Sequence, residues 1–255
     1  MMNNDNQISK QTTLFGYIGE HAGSSRFSAF CNKSFKKNSA DVMMIPMNIR
    51  EDDFFFTVSN MKKSHVNGAI ISNEYVSKTV EILDTASGLV QKSGMCDIVF
   101  KEGETLHGDI FVTRVLLEKL KDLGVNKIAM IGTSAHAKAF SLMACGFNVS
   151  YFYDDLEELM QFTQEMELSN ADVNRIAHGM EVDFSTYDAV LDFSDLGSLD
   201  MVLKLASYNF DMKNTKEYSN LKTRANKLDA KYIGYDNMIE ELSMQAYRLI
   251  VKGNN

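Results

Sequence analysis

Apolar positions along the first hundred residues alternate between two spacings. The runs TLFGYIG (13–19), DVMMIPMNI (41–49) and VNGAIIS (66–72) are short, rich in β-branched and aromatic residues, and bounded by Gly or polar clusters, which predicts strands. Between them, Phe30, Cys31 and Phe35 recur at helical spacing from Ser28 to Lys37, and Phe54 to Phe56 lead Val58 and Met61 through 51–64. The second of these segments opens on Glu51-Asp52-Asp53, acids that complement a helix N-terminus. The resulting β-α-β-α-β order predicts a parallel sheet covered by helices. Residues 72–90 then read as one long helix capped by Ser72 or Asn73, 96–109 as a hairpin around Glu102-Gly103, and 111–124 as a helix closed by Gly124.

The stretch Lys127 to Asp155, KIAMIGTSAHAKAFSLMACGFNVSYFYDD, organises the rest of the chain. It reads as an apolar strand, a tight turn at Gly132, a helix of small residues and a second apolar strand ending in acids, the front of a dinucleotide-binding βαβ unit. Gly132 keeps the first glycine of that turn, Ser134 and Ala135 stand where further glycines are usual, and Asp154 follows by about 20 residues, the spacing of an acid that takes ribose hydroxyls. The turn reads either as a nucleotide cradle of Gly132, Thr133, Ser134, Ala135 and His136 or as a turn inherited from the fold with no ligand. Beyond it come an acidic amphipathic segment (155–168), an apolar strand and turn (187–197), a polar connector and helix (208–234), and a closing amphipathic helix (237–251). The boundary falls near Gly103 to Gly108, giving a first α/β domain of 1–105 with 236–255 and a nucleotide-type domain of 106–235.

With 255 residues, 45% of them hydrophobic, the chain can bury a sizeable core. A formal charge of -8 opposes a phosphate backbone, so no nucleic-acid partner is expected. No apolar run has membrane-spanning length, and the polar start MMNNDNQISKQTT, read as a frayed end, lacks the build of a signal peptide, so a cytoplasmic protein with no membrane partner is expected. The three cysteines, Cys31, Cys96 and Cys145, are read as reduced core thiols, and no histidine has metal-ligand spacing, so no metal is expected. The 16 methionines and 16 phenylalanines read as core fillers. Glu157, Glu158, Glu165 and Glu167 read as a solvated helix face, and His136 as a solvated histidine at a helix start.

The order of segments, with Ser25 in the loop after the first strand, Asn32 following it, Ser72 closing the third strand and Gly132 in the later turn, resembles the shikimate dehydrogenase family from about Phe15 to about Val251. The resemblance implies an N-terminal substrate domain, a Rossmann-like NAD(P)-binding domain and a C-terminal helix returning to the first domain. It implies substrate contacts at Ser25, Asn32, Ser72 and Asp97, and cofactor contacts at Gly132, Thr133, Ser134, Ala135, His136 and Asp154. The family's Asn-Val-Thr-x-Pro-x-Lys stretch falls on Ile70 to Val76, so valine stands at the lysine position, with Lys78 the nearest candidate catalytic lysine. The family's catalytic aspartate position falls on Val112. Asp154-Asp155 stand where the family more often carries an arginine for the extra phosphate of NADP, which favours NAD. Two functions are expected: an NAD(P)-dependent oxidoreductase of a small hydroxy-carboxylate with weak or altered activity, or a non-catalytic relative binding a small ligand or protein partner in an interdomain cleft. The sequence leaves the oligomeric state open.

Overall fold

A computed structural model describes residues 11–212 and 219–253. The polar start 1–10 and part of the connector, 213–218, lie outside the described residues. By contacts the chain divides into two compact units, one of 1–86, 96–109 and 239–255 and the other of 87–95 and 110–238.

The first unit begins with β1 (Thr13–Gly19), α1 (Phe27–Lys37), β2 (Val42–Asn48), α2 (Glu51–Asn60), β3 (Val66–Ile71), the short α3 (Val76–Thr79) and β4 (Thr85–Ala86). A hairpin of β5 (Ile98–Glu102) and β6 (Thr105–Asp109) completes a six-stranded sheet in the order β2-β1-β3-β5-β6-β4. β1 is parallel to both β2 and β3, as the β-α-β-α-β alternation predicts, and β5 runs antiparallel to β3. Phe15, Tyr17, Ile18, Ala69, Ile70 and Val99 are fully or almost fully buried on this sheet. Gly68 has no room for a side chain, because a Cβ there would stand 2.3 Å from the Val99 carbonyl and 2.4 Å from the Phe15 ring.

The long helix expected over 72–90 is not formed. A 3-10 turn, α3 and another 3-10 turn lead instead into β4. Asp84 causes the break. Its amide donates to the Leu106 carbonyl at 3.0 Å, its carboxylate accepts the Leu106 amide at 2.8 Å, and Lys62 pairs with it at 2.6 Å. Tying this residue to β6 outweighs the intrinsic helical preference of its neighbours, which is worth only tenths of a kcal/mol per residue. Ser87 then accepts the Val90 amide and starts a separate helix.

That helix, α4 (Gly88–Ser93), belongs to the second unit with α5 (Val112–Asp122), β7 (Lys127–Ile131), α6 (Ala135–Met143), β8 (Asn148–Tyr153), α7 (Leu156–Glu165) and β9 (Asp172–Arg175). Next along the chain are β10 (Val182–Asp183), β11 (Ala189–Asp192), β12 (Val202–Lys204), β13 (Tyr208–Asp211), α8 (Asn220–Lys227) and β14 (Tyr232–Gly234). β10 and β12 pair apart from the main sheet, whose order is β14-β13-β11-β7-β8-β9 with every neighbouring pair parallel. Numbered along the chain this is 3-2-1-4-5-6, the doubly wound Rossmann order. The connection direction reverses between β7 and β11, which makes their C-terminal ends the topological switch point.

The stretch 208–234, read as a connector and helix, supplies two strands of this sheet as well as α8. The strand at 208–211 is masked in sequence by Asn209, which is fully buried and spends its amide on Ala206 and the Lys231 carbonyl. The closing helix α9 (Ile239–Lys252) groups with the first unit and packs on α1, burying Leu242 and Ala246.

At the other end of the switch, the Asp188 carboxylate accepts the amides of Asn126 at 2.9 Å and Lys127 at 2.7 Å, pinning the start of β7 to β11. These two backbone donors hold the carboxyl below its ordinary value. Because the folded value is the lower one, this stabilisation is present above the unfolded value and is lost as pH falls through the folded one. Asp188→Asn is expected to cost about 1 kcal/mol at neutral pH and to flatten the acid limb of stability measured by urea unfolding. An unchanged acid limb would contradict this.

Candidate functional site

Gly132 is where the second unit's sheet is most tightly closed. Its φ is +96°, and a Cβ would stand 2.7 Å from the backbone of Ser194 and 2.9 Å from that of Phe193. Only glycine meets both demands, since L side chains rarely adopt that φ and no neighbouring side chain could move to make room. The opposing loop is fixed as well: the Asp192 carboxylate accepts both the amide and the hydroxyl of Ser194, at 3.0 and 2.7 Å. The Gly132 amide donates to Phe152 on β8 and the Phe193 amide to Ile131 on β7, so three strand ends are locked around one residue.

Above this lock lies a cavity of about 440 Å³, within the size range of small-molecule sites. Gly132, Thr133 and Ser134 form its floor, with Asp154, Glu158 and Asp195 around it. Ser134 is the N-cap of α6, yet its side chain makes no capping hydrogen bond. The first amides of any helix lack intrahelical partners, and the helix dipole favours negative charge there. Ala135 opens α6, and the His136 ring is stacked near Phe193, with centroids 6.4 Å apart and planes at 17°. The histidine expected to be simply solvated is therefore half-buried against an aromatic ring.

Asp154 follows the end of β8 and is exposed toward the cavity, while Asp155 caps α7 by accepting the Glu158 amide at 3.0 Å. Two of the four glutamates expected on a solvated face have specific partners. Glu158 accepts the Thr133 hydroxyl at 3.1 Å, and Glu165 pairs with Lys138, whose ammonium, with the Gln161 amide, holds its carboxyl below the ordinary range. Their helical spacing in sequence gives no hint that the polar face of α7 borders a cavity. The lining by Asp195, Phe193 and Ser194 has a visible signal, the DFSD turn after an apolar strand. Lys138, the cation among the described lining residues, is thus already matched by Glu165.

In the first unit, Ser25 accepts the Phe27 amide at 3.2 Å at the start of α1. Asn32 is spent on the sheet: its amide donates to the Met44 carbonyl at 2.9 Å and accepts the Met44 amide at 2.7 Å, filling the open side of edge strand β2. Ser72 is buried at the end of β3 and donates to Glu74 at 2.6 Å. Glu74 also accepts the Glu20 amide at 2.8 Å. Asp97 is 1% exposed, and its carbonyl accepts the Ile71 amide, so it stands at the same end of the sheet as Ser72. Lys78 is ion-paired with Glu51 of α2. Val76 and Val112 are buried. Cys31 and Cys96 are buried and burial raises both thiols, but Cys145, expected in the core, is exposed. Among the described residues no cluster of His, Cys, Asp or Glu has the makings of a metal site, and no helix is long and apolar enough to cross a membrane.

No protein-family profile matches the sequence. Over 149 residues it is 26% identical to the shikimate dehydrogenase (NADP(+)) of Dictyoglomus thermophilum, a match covering 56% of this chain and 54% of that protein. In sequence the chain is similar to shikimate dehydrogenases. It spans about half the length of the curated relative it matches. Two solved structures extend the likeness in fold. A shikimate 5-dehydrogenase from Listeria monocytogenes in complex with shikimate and NAD superposes with a TM-score of 0.71 at 15% identity, covering 95% of this chain and 93% of that one. A 5-ketofructose reductase of a Gluconobacter strain gives 0.72 at 13% identity, covering 96% and 94%. The α/β architecture with a Rossmann-like unit and a C-terminal helix is common to them.

Two substitutions test these assignments. Gly132→Ala is expected to lower stability by about 2–4 kcal/mol, from the forced φ and the collision with Ser194, read as the midpoint of urea unfolding. Asn32→Ala is expected to cost about 1–3 kcal/mol by leaving the Met44 amide and carbonyl without the side chain's hydrogen bonds. A neutral result at either position would remove the role given to it.

Proposed function

We propose that this chain is an NAD-preferring, shikimate dehydrogenase-like oxidoreductase acting on a hydroxyl of a small molecule, with weak turnover of shikimate-type hydroxy-carboxylates. The carrying observation is the acid-rimmed cavity over Gly132 at the switch point, with Asp154 at the end of β8. Ligands of open α/β sheets bind outside the carboxyl ends of the strands at such a point. Gly132, Thr133, Ser134, Ala135 and His136, with the N-terminus of α6, would hold the pyrophosphate, and Asp154 the adenosine ribose hydroxyls. Asp154, Glu158 and Asp195 oppose a ribose phosphate, and Lys138 is neutralised by Glu165, so NAD fits this set better than NADP. When bound, the nicotinamide supplies the hydride chemistry.

Ser25, Ser72 and Asp97 remain the candidates for substrate contact in the first unit. Asn32 contributes by holding β2 in place beside them. Val76 and Val112, at the positions that the resemblance assigns to lysine and aspartate, can neither donate to a reacting oxygen nor exchange its proton. Lys78 keeps its charge on Glu51. The weak activity follows from this pair of valines.

By calorimetry NAD is expected to bind at least tenfold more tightly than NADP, a difference of about 1.4 kcal/mol, and Asp154→Ala is expected to erase most of that preference. Shikimate turnover is expected well below about 1 s⁻¹. Tighter binding of NADP, or shikimate turnover at ordinary enzyme rates, would refute the reading.

A further inference from the structure

Resting on the oxidoreductase reading above, we infer that Glu74 is a specificity-determining residue that makes the first unit select an uncharged polyol or ketose over a carboxylate. Its carboxylate occupies the donors that an incoming carboxylate would need at the C-terminal ends of β1 and β3. One oxygen accepts the Ser72 hydroxyl at 2.6 Å and the other the Glu20 amide at 2.8 Å. The fit is close: a Cβ on Gly19 would fall 2.7 Å from the Ser72 Cβ and 2.9 Å from Glu74 Oε1, so the glycine leaves the space in which the carboxylate sits. Two other polar side chains nearby accept backbone amides, Ser25 from Phe27 and Asn48 from Gly23 at 2.6 Å.

Further carboxylates lie in the neighbouring segments. Glu20 follows β1, Asp97 sits buried beside the end of β3, and Glu51 opens α2, where it is paired with Lys78. The Tyr75 hydroxyl, which donates to the Ile49 carbonyl at 2.7 Å, registers the same field: burial, then Glu20, Glu74 and Glu51, push it up to about 12. A substrate carboxylate entering here would meet a fixed carboxylate in place of donors, and like charges at short range repel strongly enough to change affinity by about tenfold. An uncharged hydroxyl or carbonyl group suffers no such repulsion, and a hydroxyl can donate to Glu74.

Calorimetric titration of the full chain with shikimate and with its uncharged carboxamide tests this directly. The carboxamide is expected to bind at least about tenfold more tightly. Raising salt from about 0.05 to about 0.5 M should narrow the gap in the unaltered chain, because screening weakens repulsion. Glu74→Gln, which keeps the size of the side chain, should reduce the ratio about tenfold. Equal or tighter binding of the carboxylate, a gap indifferent to salt, a ratio that survives Glu74→Gln, or no binding of either compound would overturn the inference. Titrations run without NAD keep the two proposals apart: failure of NAD to bind refutes the oxidoreductase reading, while the ratio still decides the role of Glu74.

Discussion

The second unit depends on one close approach, that of the Gly132 backbone to the Ser194 loop. A Cβ is excluded there by 2.7 Å contacts with backbone atoms. Because β7 and β11 are the two strands between which the winding reverses, this contact lets their ends sit side by side and leaves open space above them. Asp192 sets the loop from one side by holding Ser194, and Asp188 sets the opposite ends of the same strands by holding Asn126 and Lys127. The cavity follows from the sheet's winding, and its chemistry follows from which residues the strand ends deliver to it.

Those residues deliver negative charge. Asp154, Glu158 and Asp195 face a space whose lining lysine, Lys138, is already paired, while the helix N-terminus beneath offers backbone donors. A dinucleotide with free ribose hydroxyls satisfies both features, and a ribose phosphate satisfies only the second. The first unit repeats the theme at the ends of β1 and β3, where Glu74 takes the hydroxyl of Ser72 for itself. Both units therefore place carboxylates at the open strand ends of their fold.

Much of this is legible in the sequence, and the failures have identifiable physical causes. The strands 13–19, 42–48 and 66–71 carry period and composition strong enough to be read directly, as do the turn at Gly132 and the acid at Asp154. The helix expected over 72–90 fails at Asp84, which gains its hydrogen bonds from Leu106 and its ion pair from Lys62, partners about 22 residues away on either side. Strand 208–211 hides behind a buried asparagine that bonds Ala206 just before the strand and Lys231 22 residues on. Asn32 and Ser72 stand out in sequence as polar residues in the right places, but a side chain's partner is a three-dimensional fact: Met44 takes one and Glu74 the other. The proximity of Ser72 and Glu74 in sequence is the available signal for the second.

If the switch-point cavity receives an NAD-type dinucleotide through Gly132 and Asp154, a crystal structure of the full chain grown with NAD will show it. The pyrophosphate is expected over the Gly132–His136 turn at the start of α6, with an adenosine ribose hydroxyl within hydrogen-bond distance of the Asp154 carboxylate. A dinucleotide bound elsewhere, or saturating NAD that leaves this cavity empty, would contradict the proposal.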